Sequence, residues 1–239
     1  MSFLVPQRQF DADLPEMIDL PNNDPAVLDD DLKNLRTINK YFGGLSAVKK
    51  EIVRLFDKIS KADKIEILDL ATGSADHPLA ILTLSQKWRR PVAITAVDKN
   101  PQILAIARER TKLFKEIQIE RQDILALPYP DKSFDIVLAS LVIHHFSRQD
   151  AVRLLKEMDR LSRIGFVLND LRRSWLAAAT AWLYTRLTTR NPMTLNDSYL
   201  SVLRAFTADE LQKIAQAAGI KNFKIKKRFL FRLILTGEF

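Results

Sequence analysis

Acidic and small residues gather where short apolar runs end in this 239-residue chain. The run at 65–70 (IEILDL) leads into Asp69-Leu70-Ala71-Thr72-Gly73-Ser74-Ala75-Asp76. Small side chains there let a ligand approach the backbone, and amides at the start of a following helix offer donors to a carboxylate. The run at 92–97 ends at Asp98, 25 residues after Gly73. A carboxylate so placed can accept hydrogen bonds from both hydroxyls of a ribose. The run at 117–120 is followed by Asp123 in RQDILALP, which suits the exocyclic amine of an adenine or caps a turn. After the run at 134–140 come His144 and His145. Either imidazole could take a proton near neutral pH. Each motif alone also reads as an ordinary strand–helix turn; their placement after consecutive strands sets them apart.

The composition removes other chemistries. There is no cysteine, which excludes a disulfide scaffold, thiolate zinc, iron–sulfur clusters and a Cys nucleophile. Only three histidines occur, and His77 reads as structural. His144 and His145, adjacent and without a carboxylate partner in sequence, are poor metal ligands, so no metal is expected. The amino terminus lacks the basic start and apolar run of a secretory signal, and no stretch approaches a membrane span. A cytoplasmic protein is the expectation.

Alternating patterns supply the frame that must position these residues. Residues 1–25 are acidic, contain four prolines and read as an extended arm; 26–60 read as two helices broken at Gly43-Gly44. Short apolar runs at 65–70, 92–97, 117–120, 134–140 and 164–169 are the length of buried parallel strands. Between them lie helices, one started by Asn100-Pro101 and one by Ser147 with Asp150. Residues 174–189 read as an aromatic-rich helix and 190–202 as a loop; Thr207 with Glu210 then opens a helix that Gly219 stops. Runs at 223–228 and 231–236 have no crossover helix between them, so the sheet ends antiparallel. The fold expected is α/β: a Rossmann-like, doubly wound, seven-stranded sheet, mostly parallel with an antiparallel C-terminal strand, plus N-terminal helices and an inserted helix. The divisions expected are an arm and helical cap over 1–60 and a main domain over 61–239, with 171–205 inserted as a lid.

ILDLATGSAD, AVDKNPQIL and RQDILALPYPDKSFDIVLASLVIHHF, in that order and spacing, together resemble a class I S-adenosylmethionine-dependent methyltransferase. The turn departs from that family's commoner Gly-x-Gly-x-Gly at Ala71 and Ala75, although Ala-Thr-Gly variants are familiar in its ubiquinone/menaquinone-type members. The resemblance implies S-adenosylmethionine as cofactor. Asp69 and the turn Ala71, Thr72, Gly73, Ser74 and Asp76 would hold its methionine part, and Asp98 its ribose. Lys99 and Asn100 would flank the adenine, Asp123 and Ile124 would touch it, and Ser140 and Leu141 would lie near the sulfonium. A nicotinamide-dependent oxidoreductase is disfavoured because the glycine fingerprint is absent.

The acceptor falls to the parts outside that common core. NLRTINKYFGG, which supplies Asn39, Tyr41 and Phe42, resembles bacterial small-molecule methyltransferases of quinone and polyketide type. Trp175 and Trp182 on the inserted helix would roof an apolar pocket, with His145 beside the acceptor. The expectation is methyl transfer to a small phenolic or quinone-like acceptor, on oxygen before carbon. The rivals are an RNA methyltransferase and a non-catalytic nucleoside-binding protein. The basic excess keeps RNA open: 151–190 has eight bases to three acids, and 221–239 six to one. No appended RNA-binding motif supports it, and Ser140-Leu141-Val142-Ile143 stands where base amino-methylases keep Asn-Pro-Pro-Tyr. Arg172, Arg173, Arg186 and Arg190 could instead rest on an anionic membrane. Residues 1–31 are the opposite, with eight acids against Arg8 alone, and could fold back over part of the basic surface.

Overall fold

The structure is a computed structural model that describes residues 5–11, 14–61 and 63–239. Seven strands form one sheet in the order β3-β2-β1-β4-β5-β7-β6. They are β1 (Ile65–Leu70), β2 (Val92–Asp98), β3 (Ile117–Arg121), β4 (Phe134–Ser140), β5 (Ser162–Leu171), β6 (Phe223–Arg228) and β7 (Arg232–Glu238). β7 alone runs against its neighbours, as the missing crossover helix requires. The central strands β1, β4 and β5 are apolar and buried on both faces. One face packs on α2 (Gly44–Phe56) and α3 (Asp76–Trp88), through Val48, Ile52, Leu55 and Ile81 against Ile67, Ile136 and Val167. The other packs on α5 (Arg148–Leu161) and α8 (Ala208–Ala217), through Leu154, Met158, Leu211 and Ile214.

The strand order reverses at β1, flanked by β2 on one side and β4 on the other. Carboxyl ends of strands at such a reversal leave a crevice for a ligand. The β1–α3 turn fills it with unusual backbone: Ala71, Gly73 and Ala75 all have positive φ, at 53°, 56° and 60°. For alanine this costs about 1–2 kcal/mol per residue. A Cβ on Gly73 would meet nothing within 4 Å, so its freedom serves the backbone path and leaves open space above it. Leu141, just past β4, is held at φ 55° with its N–H on the Asn169 carbonyl at 2.8 Å.

Caps start the flanking helices where the sequence places them. Asn100 accepts from the amides of Gln102 and Ile103 to begin α4 (Pro101–Thr111). Thr207 and Glu210 form a reciprocal capping box on α8. Asp24 caps α1 (Pro25–Tyr41), which lies over α2 and α4.

Two expectations are corrected. The stretch 190–202 is not a loop: it holds most of α7 (Pro192–Arg204), paired with α6 (Trp175–Thr188). The physical reason is its buried face, where Thr194, Asp197, Ser201 and Arg204 interrupt Met193, Val202 and Leu203 and so break the apolar stripe. Asn191 as cap and Pro192 as first helical residue were the legible signals. The amino-terminal arm is extended only in part. It docks on the body, with Gln9 N–H on the Leu203 carbonyl and Met17 and Ile18 amides on the Asp197 carboxylate at 2.9 Å. Residues Met17–Asp19 make one 3-10 turn.

Candidate functional site

Two cavities meet at the carboxyl end of the sheet. The outer one, about 630 Å³, is lined by Ala71, Thr72, Gly73, Ser74, Asp76, Asp98, Lys99, Asn100, Asp123, Ile124, Ser140 and Leu141. Twelve of the thirteen cofactor residues expected from the sequence therefore share one wall. Asp69 stands behind them, buried, accepting from Thr72 Oγ1 at 2.6 Å and so tying the turn. Burial pushes its carboxyl up to about 7, against the Thr72 bond that favours the anion.

The donor set fits S-adenosylmethionine. Asp98 accepts from the amides of Gly73 (3.2 Å) and Asn100 (3.0 Å), which aims its carboxylate across the β1–α3 turn with lone pairs to spare. Burial raises this carboxyl, while those two amides favour its ionised form. Ile103, Ile124 and Leu125 give apolar walls for a planar ring, and Leu125 N–H fixes Asp123 at 2.9 Å. Asp19, Asp76, Asp98, Asp123 and Asp150 border the cavity, a negative setting for a cationic cofactor. His77 also lines it, buried, with neither ring nitrogen partnered; burial pulls its imidazole down to about 4.

The inner cavity, about 150 Å³, is closed by α1, α6, α7 and the β6–β7 hairpin tip. Phe42 and Tyr184 meet edge to face at 4.7 Å between ring centres along its side. The two cavities share Ile18, Leu35, Leu141 and His145, which mark their junction.

His145 sits at that junction and His144 on the inner cavity, each ring held by its own carboxylate. His144 Nδ1 lies 2.7 Å from Asp170 Oδ1 and His145 Nδ1 lies 2.6 Å from Asp19 Oδ2. Asp170 also accepts from the amides of Val142, Ile143 and Leu171. Burial alone would raise Asp170, but His144 and these amides bring it below the usual carboxylate range. An ionised Asp170 can only accept, so His144 donates to it from Nδ1 and turns Nε2 away from it. His145 differs: burial would lower it, but Glu16, Asp19 and Asp170 overturn that and push it up to about 9. Asp19 is correspondingly held well below its ordinary value; burial opposes this and His145 outweighs it.

Glu16 faces both rings, with Oε1 3.8 Å from His144 Nε2 and Oε2 3.9 Å from His145 Nε2. Their ligand atoms lie within 4.8 Å of one another, close enough to hold a metal ion. Arg204 Nη1, 3.7 Å from the same Glu16 carboxylate, already places a positive charge there.

Glu16, Asp19, Asp31 and Asp170 were not singled out by sequence pattern as site residues. Glu16 and Asp19 lie in an aperiodic acidic arm, and only the fold shows that it crosses the site. Asp31 is buried on α1, bonded to Thr194 Oγ1, and burial pushes it up to about 7.

Of the acceptor residues expected, Asn39 lines the outer cavity and Phe42 and His145 the inner one. Tyr41 does not: it is 66% exposed. Trp175 and Trp182 are not a roof either; both border a shallow groove on the outer side of α6, with Arg186 stacked 4.2 Å from the Trp182 ring. The face of α6 turned inward is Ala177, Thr180, Ala181, Tyr184 and Thr185, because the helix buries its small residues against α7.

Residues 67–165 match the family described as Methyltransferase domain. Demethylmenaquinone methyltransferase of Thermus thermophilus is 38% identical over 105 residues, covering 43% of this chain and 44% of that protein. Ubiquinone/menaquinone biosynthesis C-methyltransferase UbiE of Rickettsia akari is 28% identical over 126 residues, covering 49% of each. The chain thus spans less than half the length of these curated relatives. Among solved structures, a SAM-dependent methyltransferase from Aquifex aeolicus superposes with a TM-score of 0.60 at 15% identity, covering 90% of this chain and 98% of that one. The CMeT domain of the citrinin polyketide synthase gives 0.62 at 15% identity, over 81% and 52%. Residues 67–165 thus carry the methyltransferase-domain match, and the chain shares the fold of solved S-adenosylmethionine-dependent methyltransferases.

Proposed function

We propose that the protein transfers a methyl group from S-adenosylmethionine to a small, apolar, phenolic or quinone-like acceptor, on oxygen in preference to carbon. One observation carries this: a cofactor-sized cavity opens into a small, largely apolar one lined by His144, whose Nδ1 is held by the buried Asp170. Curated relatives named for demethylmenaquinone and ubiquinone/menaquinone methylation support the acceptor class.

When bound, S-adenosylmethionine supplies a methyl group already made electrophilic by its sulfonium. The chain's own residues then have three tasks. Asp98 holds the ribose, Asp123 and Ile124 the adenine, and the turn from Ala71 to Asp76 the methionine end. Phe42, Leu35 and the inner face of α6 align the acceptor ring at the junction, where orientation supplies most of the rate. His144 Nε2 takes the hydroxyl proton, and Asp170 fixes the tautomer and stabilises the resulting cation. Ile18 and Pro15 of the arm border the outer cavity and exclude water.

Mass and NMR analysis of products from a panel of phenols and hydroquinones tests this. A new methoxy signal is expected. A carbon-bound methyl would reverse the oxygen preference, and methylated RNA with no small-molecule product would replace the reading altogether. The same proposal places the outward face of α6, with Trp175, Leu176, Trp182 and Leu183 exposed beside Arg186, against an anionic membrane. Sedimentation with phosphatidylglycerol vesicles but not with neutral ones is the expected result. Arg173, expected to share that contact, cannot: it is buried against Pro6, Ala205 and Glu210.

A further inference from the structure

Arg232 opens β7, lines the inner cavity and is 1% exposed. Its Nη2 donates to Asn39 Oδ1 at 3.2 Å, while Nε and Nη1 have no partner. Among the described residues it forms no ion pair, and Asp170 acts on it only at a distance. The acids on the same cavity are committed elsewhere: Glu16 to Ser201, Asp31 to Thr194, Asp197 to two arm amides. Other buried arginines are more fully used: Arg90 leaves only Nε unmade while donating to the carbonyls of Phe56, Ile59 and Ser60, and Arg173 bonds two carbonyls and Glu210. Burial lowers Arg232 to about 10, which still leaves it charged at neutral pH. A buried guanidinium with unmade hydrogen bonds is among the costliest groups a protein can carry.

A second source of positive potential adjoins it. Helix α2 begins at Gly44 with no side-chain cap. A Cβ on Gly44 would lie 3.4 Å from Arg232 Nη2 and 2.8 Å from Asn39 Oδ1, so the helix start packs directly against the guanidinium. Both favour a negative oxygen. The remaining walls near the hairpin tip, Phe42, Leu171, Leu230 and Phe231, are apolar. A ring with one ionised oxygen matches that surface; a neutral ring leaves the charge uncompensated.

We propose that Arg232 binds an ionised oxygen of the acceptor, as a carboxylate or the anion of an acidic enol or phenol, and so selects acidic aromatic acceptors over neutral ones. This rests on the methyltransferase reading of the two cavities. The guanidinium is a specificity determinant on the wall of the inner cavity, and Asn39 positions it.

Calorimetry on the full chain, saturated with S-adenosylhomocysteine, tests the proposal with three probes. They are 2-hydroxy-1,4-naphthoquinone (an acidic enol), 2-naphthoate (a carboxylate) and 2-methoxy-1,4-naphthoquinone (neutral). At least one anion is expected to bind about tenfold or more tighter than the neutral ether. Which anion does so tells an enolate subsite from a carboxylate subsite. Arg232→Met should erase the preference, leave S-adenosylhomocysteine affinity unchanged and raise the melting temperature, since an uncompensated charge is removed. Arg232→Lys should keep part of the preference. Equal affinity of wild type for anions and ether overturns the proposal and leaves the methyltransferase reading standing. So does an Arg232→Met protein that melts lower or fails to fold, which would mark the arginine as a structural tie. Lost affinity for S-adenosylhomocysteine in that variant would move the guanidinium to the cofactor and also overturn it. A wild type that binds S-adenosylhomocysteine and none of the probes rejects the acceptor class along with this proposal. A wild type that does not bind S-adenosylhomocysteine rejects the broader reading.

Discussion

His144 and His145 are neighbours in sequence, yet they lean on different carboxylates. His145, between Asp19 and Glu16, is pushed up to about 9 and is a cation at neutral pH. His144 rests its Nδ1 on Asp170 and is the histidine proposed as base. His144→Asn should therefore lower kcat by about 100-fold or more while leaving S-adenosylhomocysteine affinity intact. Single-turnover methylation would show it, and an unchanged rate would remove His144 from the chemistry. Asp98→Ala should weaken S-adenosylmethionine binding by about 1–3 kcal/mol in calorimetry; unchanged affinity would deny the ribose role. At this scale the cofactor side was readable, because Asp98, Asp123 and the Ala71–Asp76 turn sit at strand ends that apolar runs mark. The acceptor side was not. Arg232 reads as one more base in a basic tail, and only its place at the start of β7 shows that it is buried and without an ion pair.

Helix α7 shows how function can hide an element. Its inward positions are polar because they hold the arm and face the inner cavity, and a helix without an apolar stripe looks like a loop. Its start depends on Asn191, which accepts from the amides of Met193 and Thr194 and reaches Val27 and Asp30 of α1. Asn191→Ala loses the cap and both ties, so unfolding by urea should show a loss of about 1–2 kcal/mol. S-adenosylhomocysteine affinity should barely change, since Asn191 does not line the outer cavity. The tryptophans of α6 mislead in the opposite sense. Their spacing marks a helix face correctly, but periodicity does not say which face turns inward, and here alanines and threonines do.

For the whole molecule, the positive charge is less of a surface property than its count suggests. Arg90, Arg173, Arg204 and Arg232 are buried, and many other bases are paired, as Lys226 and Arg228 are with Glu51. Bulk RNA should accordingly show no salt-dependent binding near physiological ionic strength by filter retention. The acids left in the interior set a pH response. Asp31 and Asp69 are raised to about 7, so the native chain binds extra protons between about 4 and 7. It is progressively destabilised there as pH rises. His145 does the same between 6.5 and about 9: its stabilisation is complete below 6.5 and lost as pH climbs through 9. Scanning calorimetry should find the melting temperature falling by a few degrees from pH 7 to 9. His145→Gln should flatten that slope. The strands themselves were legible, because five apolar runs mark the parallel part and the missing crossover marks the antiparallel end; their order comes from the fold. What sequence pattern does not carry is which distant segments cover the open edge.

The docking of the arm couples access to reactivity. Arg8 donates to the carbonyls of His144 and Phe146, and Glu16 and Asp19 supply the charges that set His145. The segment that covers the crevice is thus also the one that sets the charge on His145. Cover and charge therefore come from one stretch of chain, so a change in the arm reaches the site twice: through the shield over the crevice and through the carboxylates beside His145.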